Sequence, residues 1–164
     1  MQIKLIWKKK VFSNLYRIYS NGKQIGQLKD KTFSQTAYGQ LNSKEYTFKT
    51  KGFFKPNTEI IDNSERKVIG EITYNYWMTK AEISVNNKTY NWRYDNLWNT
   101  EWSVSGLEDT NIQYAGSSTS GQINSNIDDQ LLLLSGLFVI NYYWQTMVAI
   151  IIAVFVPLGT VVLT

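Results

Sequence analysis

Residues 130–164 read QLLLLSGLFVINYYWQTMVAIIIAVFVPLGTVVLT, and this stretch decides the fold. It carries no charge, whereas the chain's 17 basic and 13 acidic side chains all precede it. From Leu131 the apolar residues do not form a stripe: Leu131, Leu132, Leu133, Leu134, Leu137, Phe138, Val139 and Ile140 cover every face of a helix. A helix apolar all round must be surrounded, by a core or by lipid. Ser125 or Asn126 is its expected N-cap, and Ser125 with Asp128 has capping-box spacing. Asp128 and Asp129 are expected in the first turn, where carboxylates favour the helix dipole.

Residues 1–125 offer the surroundings. LYRIYS, Asn21-Gly22 and KQIGQLK form a strong hairpin signal, because both positions of a type I′ turn need φ > 0. AEISV, Asn86-Asn87 and KTYNWRY repeat the arrangement. Asn42-Ser43, Asp62-Asn63-Ser64 and residues 117–120 separate further runs, among them KEYTFKTKGFF, RKVIGEITY and NIQYAG. Ile, Val, Thr, Tyr, Phe and Trp dominate these runs with period-2 alternation, as in Tyr90, Trp92 and Tyr94. The spacing predicts about 12 antiparallel strands. Barrels of more than about eight strands enclose more room than their own side chains fill. An all-β closed barrel around a hydrophobic C-terminal helix therefore satisfies both parts of the chain.

The order of strands and helix, with IGEITY, the Trp-bearing pair YWMTKAEISV and KTYNWRYD, then EWSV and DDQLLLLSGLFVINYYW, resembles the tubby C-terminal-like superfamily. That group comprises the tubby proteins, the phospholipid scramblases and the LURP-one-related proteins. The resemblance spans residues 15–145 and implies a barrel threaded by its helix, often associated with membrane lipid. The cysteine-rich segment and calcium motif of the scramblases are absent from this sequence.

A barrel of eight-residue strands tilted near 40° is about 20 Å tall. Residues 131–164 as helix would extend about 50 Å. The cluster Asn141, Tyr142, Tyr143, Trp144, Gln145 and Thr146 divides the run, either plugging the barrel mouth or marking a membrane interface. Beyond it, 147–164 nearly matches a bilayer core of about 30 Å. Pro157 and Gly159 count against a straight helix, though membrane spans tolerate both. The expected organisation is strands in 1–125, a central helix in 126–146 completing the same domain, and a membrane anchor in 147–164 carried by Met147, Ile150, Ile151, Val154 and Phe155. The soluble alternative packs this segment back on the barrel or pairs it in a homo-oligomer.

Composition narrows the chemistry. The chain contains no His and no Cys, which excludes His-based triads, thiol nucleophiles and the usual zinc sites. No phosphate-loop spacing occurs, and Glu59 with Asp62 and Glu108 with Asp109 sit beside predicted turns rather than forming a glycosidase pair. No enzyme, no cofactor and no metal are expected. A net charge of +4 is too small to argue for nucleic acid. Lys8, Lys9 and Lys10 are candidates for contact with anionic lipid headgroups, against edge-strand protection and solubility. MQIKLIWKKK lacks the apolar core of a signal peptide. With every charge on the N-terminal side, the positive-inside rule predicts a cytoplasmic barrel. The expected function is a non-enzymatic, membrane-associated binding module. The alternative is a soluble barrel that takes a carbohydrate or small ligand on exposed aromatics such as Trp98 and Trp102.

Overall fold

A computed structural model describes residues 1–31 and 34–162, the final seven of these by backbone alone. Residues 163–164 of the expected anchor lie outside the described residues. The strands are β1 (Ile3–Lys8), β2 (Leu15–Ser20), β3 (Lys23–Lys31), β4 (Thr36–Leu41), β5 (Lys44–Lys51), β6 (Asn57–Asp62), β7 (Lys67–Tyr74), β8 (Lys80–Val85), β9 (Lys88–Tyr94), β10 (Glu101–Gly106), β11 (Asn111–Gly116) and β12 (Ser120–Ser125). The helix α1 runs Gln130–Val162. Each strand pairs antiparallel with its chain neighbours, and β1 pairs with β12, so the sheet is a closed barrel.

The predicted turns have the chemistry their sequence implied. Asn21 (φ 49°) and Gly22 (φ 80°) close β2 onto β3, and Asn86 (φ 50°) with Asn87 (φ 60°) closes β8 onto β9. Alternate side chains point inward: Trp7, Ile18, Leu28, Phe48, Ile83 and Ile112 are buried while their neighbours face solvent. Closure leaves no free edge, so edge protection does not explain the lysines.

The helix fills the interior. Residues 131–141 are all buried, and Leu134, Leu137 and Val139 are fully so. Phe138 stacks on Phe48 at 4.6 Å, and the Tyr114 hydroxyl donates to the carbonyls of Leu132 and Leu133 at 3.1 Å. The wall thins where the helix comes close: a Cβ on Gly39 would lie 3.1 Å from Leu134 Cδ1.

The helix starts later than its expected cap. Ser125 Oγ is engaged with the backbone of Ile127, and the Asn126 amide bonds the backbone of Asn111 and Asp109. Those bonds shape the turn leaving β12. Asp129 is the N-cap: its Oδ1 accepts from the Leu132 N–H at 3.0 Å, and its carbonyl accepts the first helical bond from Leu133. Asp128 and Asp129 therefore precede the first turn rather than lie within it.

Chain direction gives the barrel two distinct ends. The helix begins at the end where β12 stops, the base, which also holds the turns after β2, β4, β6, β8 and β10. It leaves at the opposite end, the mouth, where the loops after β1, β3, β5, β7, β9 and β11 lie.

Candidate functional site

The mouth grips the helix through polar side chains. Asn141 Nδ2 and Gln145 Nε2 donate to Asp30 Oδ2 at 2.7 and 3.0 Å, tying the helix to the end of β3. Tyr143 is buried, and its hydroxyl donates to the Lys80 carbonyl. Tyr142 stacks on Tyr74 with ring centroids 4.2 Å apart. These two tyrosines plug the mouth, whereas Trp144 is 54% exposed. Burial pushes the Asp30 carboxyl up to about 6, and the two amide donors partly oppose that shift.

Beyond this girdle the helix emerges. Every residue of 147–155 is exposed, including all five expected anchor residues, Met147, Ile150, Ile151, Val154 and Phe155. The backbone stays helical through Pro157 and Gly159 to Val162. The helix does not fold back on the barrel. By length and composition Gln130–Phe155 suffices to cross a membrane, but its inner half is the barrel core, so only the outer part is available. From Met147 to Val162 it is about 24 Å long.

Lys8 ends β1 at the mouth, and Lys9 and Lys10 begin the following loop, so the lysine run and the emerging helix share one end. Lys8 Nζ lies 5.6 Å from the Tyr19 ring. Lys9 Nζ lies 5.3 Å from the Tyr16 ring and donates to the Ser13 carbonyl, and partial burial lowers its pKa. Lys10 is exposed. The loops of the two ends differ in sign. Those of the mouth carry Lys9, Lys10 and Lys55 against Asp95, which is itself held by Arg93 and Ser103. Those of the base carry Glu65, Glu108, Asp109, Asp128 and Asp129 against Arg66.

Of the other singled-out groups, Trp102 and the carboxylates Glu59, Asp62 and Glu108 have structural partners. Trp102 is buried, with its indole N–H bonded to the Gly136 carbonyl, so it cannot line a ligand face. Trp98 is exposed on the loop after β9. Glu59 pairs with Lys51 at 2.6 Å, Asp62 accepts from its own turn at Ser64 and Glu65, and Glu108 pairs with Lys88. A shallow groove of about 430 Å³ crosses the outer wall at Lys4, Ile6, Tyr19 and Gln122, where β1 and β2 pair over only Ile6–Lys8.

Sequence reasoning missed the loops of the mouth. Phe53 and Phe54, read as the end of a strand, stand in the loop after β5. Tyr76 and Trp77, read as a strand start, occupy the loop after β7. Val11 with Phe12, and Leu97 with Trp98, behave alike in their own loops. The available signal was two adjacent apolar residues inside each turn segment.

Comparison with family models, with curated proteins and with solved structures finds no match to this chain.

Proposed function

We propose that this chain is a tubby-like barrel that tethers itself to a membrane through the outer part of its own helix and acts there as a non-enzymatic, lipid-interacting module. The observation that carries this reading is the change along α1. The same uncharged helix is wholly buried over 131–141 and exposed at every position over 147–155. Exposed Ile, Val, Met and Phe on all faces of a helix are unfavourable in water, and each such residue favours bilayer insertion by roughly 0.3–0.6 kcal/mol for Ile, Val and Phe. The helix beyond the girdle, 147–162, is about 24 Å long, a large part of the bilayer core of about 30 Å. The basic mouth supports a cytoplasmic barrel whose lysines face an anionic leaflet.

Salt separates the two contributions. Lysine attraction fades within a Debye length of about 8–10 Å at physiological ionic strength, while apolar insertion does not. Full-length protein is expected to stay with vesicles in about 1 M salt, where the Debye length is near 3 Å. A chain ending at Thr146 keeps the girdle of Asn141, Tyr143 and Gln145, so it is expected to fold, bind only anionic vesicles and release them in salt. Full-length protein that is soluble without detergent and ignores vesicles overturns the tether.

A further inference from the structure

We infer that the mouth of the barrel is a second membrane contact: a crown of paired apolar side chains that seats in the headgroup layer of an anionic bilayer, around the point where the helix enters it. This rests on the proposed tether and adds a separate surface to it. The crown is built from Phe53 and Phe54, Tyr76 and Trp77, and Leu97 and Trp98, with Val11 and Phe12 on a fourth loop.

None of these side chains serves the core. Phe12, Phe54 and Leu97 are 96–99% exposed, and Trp77 and Trp98 are 77% and 85% exposed. Phe53 packs on Phe54, and Tyr76 on Trp77, in edge-on pairs with centroids 5.1 and 5.3 Å apart. Large apolar groups held in water in this way mark interaction surfaces when they cluster.

They do cluster, by chain direction. All four loops open at the mouth, and in a meander barrel alternate loops are distributed around one rim. The base turns, by contrast, are made of Asn21-Gly22, Asn42-Ser43 and Asn86-Asn87, and among the described residues Leu107 is the one large, exposed apolar side chain in a base loop.

Three features favour lipid as the occupant. Lys10 and Lys55 lie on the same loops as Phe12 and Phe53, and so set cationic groups among the apolar ones, the pattern that suits an anionic interface. Trp and Tyr prefer that depth, and the Trp144 side chain is exposed level with the girdle. The crown also surrounds a protruding apolar rod, so a protein partner or a second copy seated on the mouth would have to admit that rod through its centre. A bilayer accepts rod and rim together. With both attached, the barrel axis stands along the membrane normal and the acidic base faces away.

The chain has no cysteine, so single thiols can be introduced cleanly. Phe54→Cys and Leu97→Cys at the mouth, Leu107→Cys at the base and Ile151→Cys in the helix would each carry an environment-sensitive fluorophore on the full chain. The membrane is phosphatidylcholine with about a third phosphatidylserine, an anionic surface, containing a nitroxide lipid. Labels at 54 and 97 are expected to shift to the blue and lose most of their emission to a headgroup-level nitroxide. The label at 107 should do neither, and the label at 151 should respond to a deep nitroxide. Mouth labels that behave like 107 while 151 is quenched overturn the crown and leave the tether standing. Quenched mouth labels with an unquenched 151 uphold the crown and overturn the tether. Mouth labels shielded from aqueous iodide but untouched by nitroxide lipid overturn the crown in favour of a protein cover.

Discussion

Trp92 and Trp102, diagonal neighbours on the adjacent strands β9 and β10, donate their indole N–H groups to the same oxygen, the carbonyl of Gly136, each at 3.1 Å. One backbone atom of the helix is thereby held by two wall residues. Gly136 also has no room for a side chain, since a Cβ there would lie 2.2 Å from the Tyr114 hydroxyl oxygen. Tyr114 cannot swing aside, because its ring stacks on Trp102 and its hydroxyl is bonded to the helix. Gly136→Ala is therefore expected to destabilise the barrel by about 1–3 kcal/mol, the usual cost of overpacking. Thermal or denaturant unfolding checks this, and an unchanged midpoint would mean that the helix sits farther from the wall.

Leu134 is fully buried opposite Gly39. Leu134→Ala should cost about 2–5 kcal/mol and still fold. Leu134→Arg places a charge among apolar groups at a cost of several kcal/mol and should abolish the cooperative transition. A soluble, native-like Leu134→Arg protein would contradict an enclosed helix.

Asp129→Ala removes the side-chain acceptor of the Leu132 N–H. The expected loss is about 1 kcal/mol, with faster hydrogen exchange at the first helical amides. Asn126→Ala loosens the turn against Asn111 instead and should leave the Leu132 amide protected. Amide exchange by NMR distinguishes the two.

Asp30 gives the fold a pH dependence of calculable sign. Its carboxyl titrates at about 6 in the barrel against 3.8 when unperturbed, so the folded state holds the proton more tightly. The resulting stabilisation is complete below pH about 4 and is lost as pH rises through about 6. Relative to Asp30→Asn, the natural protein should lose stability across that window. Parallel curves for the two proteins in a melting series would show that Asp30 titrates normally.

The architecture was legible because it is written in local chemistry. Asn-Gly and Asn-Asn mark turns that need positive φ, alternation marks the wall, and an uncharged helix with no polar face demands enclosure. The cap was misplaced because Ser125, Asn126, Asp128 and Asp129 are all competent caps. Bonds to Asn111 and Asp109, distant in sequence, recruit Asn126 elsewhere. The mouth was missed for a different reason. Phe53-Phe54 and Tyr76-Trp77 have the composition of strands, and composition alone does not separate an aromatic pair that faces a core from one that faces outward. Trp102 shows the converse error, a core residue taken for a surface one. Only chain direction, known once the barrel is closed, sorts the loops onto two ends.

The register of β1 on β12, from Ile3 against Ser125 to Lys8 against Ser120, means that the wall closes by joining residues more than 110 positions apart. The core of that wall is α1, which follows β12 in the chain. No early hairpin can reach its native surroundings before residues 131–143 have been synthesised, because Ile18, Leu28 and Phe48 would otherwise face a void. The interior of the barrel is thus completed only by an element that follows all twelve strands in the chain. Such long-range pairing is slow, and its waiting strands are prone to aggregate. A chain cut before residue 131 is therefore expected to leave its inward-facing Ile18, Leu28 and Phe48 without a core and to aggregate rather than fold.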